Sequence, residues 1–309
     1  MKKNSLIYVA NHKTFIGSAL VRKLKEKGYE KLLLPKNLDL ISQKEAEAFF
    51  KKAKPEYVFL PPARSGGIQA NINFPAEFIY QNTQIQTNII NAAFKFGVRK
   101  LLFLGSACSY PKICRQPIKE EYLLTGPVEK TSEPFAIAMI GGIKMCESYN
   151  RQYKTNFIAA IPTNAFGPGD DFSESGHVIA GLIRKFHKAA KERPEKAEVR
   201  IWGTGKPKRE FLYAADLAEA CLFLMRNYNS SELINIAGGK ELSIKKLAGL
   251  LQKIAGFKGK IIYETEKPDG MLRRALDKSK IFKLGWRPKI KLEQGLKLTY
   301  QWYQNHAQH

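Results

Sequence analysis

The sequence predicts an α/β fold: a Rossmann-type doubly wound parallel sheet with a smaller C-terminal part. Three observations carry this. Short apolar runs alternate with stretches of helical periodicity from Leu6 to Ile161. The run Leu101–Leu104 follows a basic residue and stops at Gly105, the pattern of a strand buried on both faces. After Pro162 the texture changes to longer loops in which Gly, Pro and Asp cluster, as in PTNAFGPGDDFSESGH.

Taken in order, Leu6–Ala10 reads as the first strand, Asn11–Gly17 as its turn, and Ser18–Gly28 as a helix with Ala19, Leu20 and Leu24 on one face. Lys31–Leu34 reads as a strand, Gln43–Lys52 as a helix and Tyr57–Leu60 as a third strand. Pro61–Pro75 reads as a loop before a long helix over 76–96, where Phe78, Ile79, Ile85, Ile89, Ile90 and Ala93 recur at helical spacing. The central strand follows, then a long helix over 133–154 and a strand over Phe157–Ile161. Beyond it, helices are expected at 177–190, 215–227, 243–255 (with Ser243 as N-cap) and 292–303. Strands are expected at Val199–Trp202, Leu233–Ile236 and Lys260–Tyr263. The expected division is a Rossmann dinucleotide-binding-type domain over 1–164 and a smaller C-terminal domain over 165–309, some of whose segments return to the sheet.

The 309 residues suffice for one large or two ordinary domains, and 44% apolar with 26% charged residues is the mix of a soluble globular protein. No apolar run reaches the ~18–20 residues of a membrane span. The opening MKKNSLIYVA lacks a cleavage pattern, so a cytoplasmic protein with no membrane partner is expected. The net charge of +23 is spread along the surface helices rather than gathered in one block. No aromatic–basic interleaving accompanies it, so an anionic small molecule is expected and nucleic acid is not. Cys108, Cys114, Cys146 and Cys221 form no CxxC pair, which predicts free thiols and no metal site.

Chemistry is expected in the stretch KLLFLGSACSYP, because open α/β sheets bind ligands at the carboxyl ends of their strands. Ser106, Cys108 and Tyr110 stand just past such an end. The first turn, Asn11-His12-Lys13-Thr14-Phe15-Ile16-Gly17, occupies the place of a dinucleotide-binding glycine loop but keeps only Gly17 of GxxGxxG. Asn11 can adopt a left-handed conformation. Thr14 sets a β-branched side chain where a pyrophosphate would touch backbone. The helix N-terminus still favours an anion. A loosely held dinucleotide and a purely structural turn both agree with this sequence.

SGGIQANINFPAEFIYQN (65–82), NIINAAFKFGVRKLLFLGSACSYP (88–111), CESYNRQY (146–153), PTNAFGP (162–168), HVIAGLIRKFH (177–187), WGTGKPKREFL (202–212), KPDGMLRR (267–274) and LGWRP (284–288) together resemble the GDP-L-fucose synthase family. These are the GDP-4-keto-6-deoxymannose 3,5-epimerase/4-reductases of the extended short-chain dehydrogenases. The resemblance spans nearly the whole chain. It implies an NADP(H)-binding Rossmann domain, a C-terminal domain holding a GDP-4-keto-6-deoxy sugar, and a homodimer paired through the two long helices. It implies that Cys108 and His177 move protons at C3 and C5, and that Ser106 hydrogen-bonds the C4 oxygen. It places Lys185, Trp202, Arg209, Asp269 and Arg273 on the sugar nucleotide. It places Asn11, Thr14, Gly17, Asn164 and, for a 2′-phosphate, Lys36 on the cofactor.

The residue types suit proton transfer. Protons beside a ketone are acidic because the enolate is delocalised, and a thiol and an imidazole both titrate near neutrality. The reductive set departs from the family. Its Tyr-x-x-x-Lys motif puts phenol and ammonium on one helical face, and here those positions are Phe135 and Met139. Tyr263–Lys267 repeats the spacing, but beyond a late strand. Pro61-Pro62-Ala63 replaces a small-residue run, and Ala165 and Phe166 stand where a larger apolar residue and a tyrosine are usual. The expected protein therefore retains C3/C5 epimerase chemistry and has NADPH-dependent reduction lost or weakened. Two other readings stay open: a non-catalytic binding or scaffold subunit pairing with an active paralogue, and a full NADPH-dependent GDP-L-fucose synthase.

Overall fold

The computed structural model describes residues 1–192, 197–267, 269 and 271–306. Pro268 and Gly270 of the KPDGMLRR stretch, and the last three residues of the expected second domain, lie outside the described residues. The first half runs β1 (Ile7–Val9), α1 (Phe15–Glu26), β2 (Leu32–Leu33), α2 (Gln43–Ala53), β3 (Tyr57–Leu60), α3 (Ile68–Asn73), α4 (Pro75–Lys95), β4 (Lys100–Leu104), α5 (Glu133–Tyr153) and β5 (Phe157–Pro162). The second half adds β6 (Asn164–Phe166), α6 (Val178–Glu192), β7 (Glu198–Trp202), β8 (Lys208–Tyr213), α7 (Ala214–Asn227), β9 (Ile234–Ile236), β10 (Lys240–Ser243), α8 (Ile244–Ala255), β11 (Lys260–Glu264), β12 (Arg273–Arg274), α9 (Ser279–Lys283) and α10 (Leu292–His306).

A six-stranded parallel sheet has the order β2-β1-β3-β4-β5-β9. The chain leaves β1 for β2 on one side and returns to β3 on the other. A crevice therefore opens at the carboxyl ends of β1 and β3, beside the end of β4. All of β4 is buried, and its side chains alternate between two cores. Leu101 and Phe103 join Tyr8, Phe50, Phe78, Ile89 and Ile143 under α2, α4 and α5. Leu102 and Leu104 join Val9, Leu20, Leu217 and Leu224 under α1 and α7. Lys100 is tolerated in this strand because its ammonium donates to the Leu224 carbonyl and to Asn229, and burial lowers its pKa to about 8. Gly142 lets α5 lie against the sheet: an added Cβ would stand 2.3 Å from the Phe103 ring.

The second part has its own core of Phe186, Val199, Ile201, Phe211, Leu247, Leu251 and Leu296. There β8 pairs with β10, β12 and β6, and β7 pairs with β11. Several elements differ from the sequence expectation. The loop expected at 61–75 contains α3. The strands β6, β8, β10 and β12 were not anticipated, since the two to six residues of each carry too little apolar alternation to stand out. Helix α1 starts at Phe15 rather than Ser18, because the Thr14 hydroxyl caps it by accepting from the Gly17 amide at 3.3 Å. Among the described residues, no helix is long and apolar enough to cross a membrane, and no group of three metal-ligating side chains is assembled.

Candidate active site

A cavity of about 750 Å³ opens where the carboxyl ends of β3, β4 and β5 and the turn after β1 face the second part of the chain. It is large enough for a sugar nucleotide. Ser106, Cys108, Phe135, Asn164, His177 and Arg209 are among its lining residues.

Strand β4 delivers the first group. Ser106 is extended, and Ala107–Ser109 form one tight helical turn. The Ser106 hydroxyl accepts from the Cys108 amide at 3.2 Å, so serine and cysteine are fixed relative to one another. Tyr110 closes this segment from below. It is buried, and its hydroxyl donates to Asn235 Oδ1 of β9 at 2.7 Å. Burial raises its pKa far above the usual phenol range, so Tyr110 anchors the turn and is unsuited to proton transfer. Arg274 Nη1 stands 3.4 Å from Cys108 Sγ. Burial pushes the Cys108 thiol up, but the Arg274 charge and hydrogen bonds with Ser106, Ser132 and Arg274 outweigh it and bring the thiol below its ordinary value.

His177 arrives from the loop before α6. Its Nδ1 lies 3.0 Å from Asp170 Oδ1, and the Asp170 carboxylate is itself buried. A carboxylate can only accept, so Nδ1 carries the proton and Nε2 is left for exchange. Burial lowers the imidazole's pKa, but the hydrogen bond and charge of Asp170, with Asp171 and Cys108, raise it above its ordinary value overall. Asp170→Asn is expected to move the alkaline limb of any His177-dependent inversion to lower pH, because the partner that raises the imidazole is lost, read from a rate–pH profile. The same linkage reaches stability. His177 binds its proton more tightly folded than unfolded, so its contribution is full below the unfolded value near 6.5 and is lost as pH rises through the higher folded value. Thermal melts across that window are expected to lose this slope in Asp170→Asn.

The His177 loop is held by backbone-to-backbone packing. The Gly67 amide donates to the Ser175 carbonyl at 2.8 Å, and a Cβ on Gly67 would stand 2.5 Å from the Gly176 oxygen. Gly67→Ala is therefore expected to displace the segment carrying His177 and to cost about 1–3 kcal/mol, measurable by denaturant unfolding.

On the second part's wall, Lys185 lines the cavity and donates to the Arg200 carbonyl at 2.7 Å, and burial lowers its pKa. Trp202 lines the cavity with 47% of its surface exposed. Burial, followed by the nearby Arg274 charge, brings the Arg209 guanidinium down to about 10. Asp269 lines the cavity too, but its carboxylate is occupied by the Thr204 amide and hydroxyl at 2.7 and 2.6 Å. Arg273, which the resemblance places on the sugar nucleotide, lies outside the cavity lining, exposed, with its guanidinium forked onto the Glu241 carboxylate at 2.6 and 2.9 Å. Its neighbour Arg274 takes the inward place.

At the turn after β1 the cavity brings in Thr14 but not Asn11, Gly17 or Lys36. Asn11 is left-handed (φ 50°) and donates to the Pro61 carbonyl at 2.9 Å. Gly17 packs so closely that an added Cβ would lie 2.1 Å from the Asn11 oxygen. Lys36 is exposed, and its carbonyl accepts from Lys13 Nζ. Asn164 lines the cavity and donates to the Glu210 carbonyl at 3.0 Å. Phe135 lines it as well, edge-on to Phe78 at 5.9 Å. Met139, one turn along α5, is buried in the core beneath. Ser132, Asp170 and Arg274 escaped the sequence reading. Asp170 alone had a signal, as an acidic residue in the same loop as His177.

The model of the NAD dependent epimerase/dehydratase family matches residues 7–237. The chain is 49% identical over 304 residues to GDP-L-fucose synthase 1 of Arabidopsis thaliana, covering 97% of this chain and 94% of that one. Among solved structures, a GDP-6-OMe-4-keto-L-xylo-heptose reductase from C. jejuni superposes with a TM-score of 0.93 at 38% identity, covering 99% of both chains. A GDP-mannoheptose C4 reductase from Campylobacter jejuni with NADP bound superposes with a TM-score of 0.88 at 40% identity, covering 98% of this chain and 99% of that one.

Proposed function

Because the chain belongs to the GDP-L-fucose synthase family of NAD dependent epimerases and dehydratases, we propose that it inverts C3 and C5 of a GDP-4-keto-6-deoxy sugar, with reduction at C4 lost or weakened. The observation that carries this reading is the unequal condition of the two halves of one cavity. Cys108 and His177 both line it, with shifts that favour a thiolate and an imidazolium. Where the reductive pair would stand are Phe135 and Met139, without hydroxyl or ammonium.

The ketone at C4 acidifies the protons on its neighbouring carbons. The Cys108 thiolate takes a proton from one face, and the electron pair moves into the enolate. The Ser106 hydroxyl donates to the enolate oxygen, where negative charge develops. Protonated His177 delivers a proton to the opposite face, and Asp170 holds its ring for that step. The groups return to their resting states by exchange with solvent. No hydride is needed. Arg209 and Lys185 supply positive charge for the diphosphate.

The family's relatives bind NADP(H), and a helix N-terminus is retained at α1. The residues here do not fit a reductive site. The phenol that would protonate the C4 oxygen and the ammonium that would hold the ribose are missing, and the Thr14 hydroxyl already occupies one of the free amides at the start of α1.

The test is incubation with GDP-4-keto-6-deoxymannose in D₂O without NADPH, following the C3 and C5 protons by NMR. Exchange at both carbons is expected. Absence of exchange above a protein-free control, with the protein folded, would overturn the reading in favour of a binding subunit. The exposed Ile79, Tyr80, Ile137 and Tyr153 on α4 and α5 support a homodimer through these helices. A dimer mass by light scattering is expected, and Ile137→Lys is expected to shift it toward monomer.

A further inference from the structure

We propose that Arg274 is the positioning residue that makes Cys108 a base, its guanidinium held over the sulfur as the thiolate's counter-ion. The catalytic consequence rests on the epimerase reading above, whereas the pairing itself is tested without any sugar.

The backbone fixes where Arg274 stands. Strand β12 runs parallel to β8 with Arg274 in register with Arg209. The residues that follow are tied on two sides. The Leu276 amide donates to the buried Glu210 of β8 at 3.2 Å. The Ala275 amide donates to Gln116 Oε1 at 3.0 Å, Ile118 donates to the Ala275 carbonyl at 2.8 Å, and Asp277 donates to the Ile118 carbonyl at 2.7 Å. Residues 116–118 belong to the segment that leaves the Cys108 turn. The strap carrying Arg274 is thus stitched both to the cavity wall and to the chain that presents the cysteine.

Among the described residues the side chain meets no other anion. Its Nη1 lies 3.4 Å from Cys108 Sγ, and its Nη2 donates to Met271 Sδ. Its Nε is buried without a hydrogen-bond partner among the described residues, and no carboxylate there pairs with the guanidinium. Arg273, adjacent in sequence, is neutralised by Glu241 on the outer side. A half-buried guanidinium with only sulfur within reach is satisfied when that sulfur is ionised. Other charges act on the sulfur as well. Arg209 on β8 and His177 before α6 are both electrostatically coupled to Cys108, and the Ser106 and Ser132 hydroxyls face it from β4 and from the entry to α5. Among the described residues, Arg274 is the charged group within bonding distance.

The experiment is the pH dependence of iodoacetamide alkylation at Cys108, resolved from Cys114, Cys146 and Cys221 by peptide mass spectrometry. It compares wild type with Arg274→Met, Arg274→Gln, Arg274→Lys and Arg209→Met. Wild type is expected to titrate below a free thiol. Arg274→Met and Arg274→Gln are expected to titrate at least about one unit higher, slowing alkylation at neutral pH about tenfold. Arg274→Lys is expected to retain most of the wild-type reactivity, because a charge remains at the site. In D₂O exchange, the two neutral variants are expected to lose kcat by the same factor at pH 7 and to recover it at higher pH.

A wild-type midpoint in a folded neutral variant would overturn the proposal, as would a midpoint that moves in Arg209→Met but not in the Arg274 variants. Should both neutral variants unfold, Arg274→Lys decides: a midpoint raised to that of a free thiol in folded protein counts against a charge effect. Shifted alkylation together with no exchange in wild type would leave the pairing standing and overturn the epimerase reading alone.

Discussion

Cys108→Ser is expected to lose deuterium incorporation at both C3 and C5, by about 10²–10⁴-fold, in a protein that stays folded. Serine is nearly isosteric with cysteine, and the half-buried position keeps its backbone hydrogen bond to Ser106, so the turn is not disturbed. What changes is the acid. An alcohol stays protonated where the thiol beside Arg274 ionises, so no base remains to start the reaction. His177→Asn is expected to behave differently. Cys108 can still remove a proton and, after exchange with solvent, return deuterium to the same face. Label therefore enters without inversion, and the epimeric product falls by a similar factor. A two-residue mechanism acting from opposite faces requires this split between exchange and inversion. Equal loss of both in His177→Asn would instead make the imidazole part of the abstracting machinery. Wild-type exchange in Cys108→Ser would remove the cysteine from the mechanism altogether.

The parts of this site that were legible in sequence are those written in short-range pattern. The apolar run Leu101–Leu104 ending in Gly105 marked the central strand, and a buried parallel strand puts the residues just beyond it at the ligand-binding edge of the sheet. That pattern pointed to Ser106, Cys108 and Tyr110 alike, and the roles of Cys108 and Ser106 came from the family resemblance. The parts that were not legible depend on the parity of a short strand or on contacts between distant segments. Arg273 and Arg274 are equivalent as sequence. A two-residue strand paired to β8 turns one outward to Glu241 and the other inward to Cys108, and nothing in MLRRAL announces that strand. Ser132 and Asp170 acquire meaning only when the α5 entry and the loop before α6 are brought to the cavity. At the first turn the sequence showed missing glycines, whereas the fold shows what replaced them. Thr14 is a helix cap, and Asn11 supplies the left-handed residue and ties the turn to Pro61. A turn without those glycines can be well made, because capping and turn formation are satisfied locally.

Phe135→Tyr combined with Met139→Lys is expected to raise NADPH consumption with GDP-4-keto-6-deoxymannose by about 10² or more over a near-background wild type. The two changes are expected to act together. Phe135 already lines the cavity, so one added hydroxyl places a proton donor there. A phenol with an ordinary pKa near 10 is a weak acid, however, and Phe135→Tyr alone is expected to gain no more than about tenfold. The ammonium one helical turn away stabilises the phenolate and so makes the phenol a better acid. Met139→Lys alone is expected to gain nothing and to melt earlier. Met139 is 1% exposed among Ile143, Phe103 and Ala107, and an ammonium there has no hydroxyl to share its charge with. The pair is thus expected to show positive coupling in both activity and stability, readable as a double-mutant cycle. Strong NADPH consumption by wild type would sink the argument, since protonation at C4 would then be supplied from elsewhere in the cavity. Additive or null behaviour of the pair would place the obstacle at the Thr14 and Pro61–Pro62 wall rather than on α5.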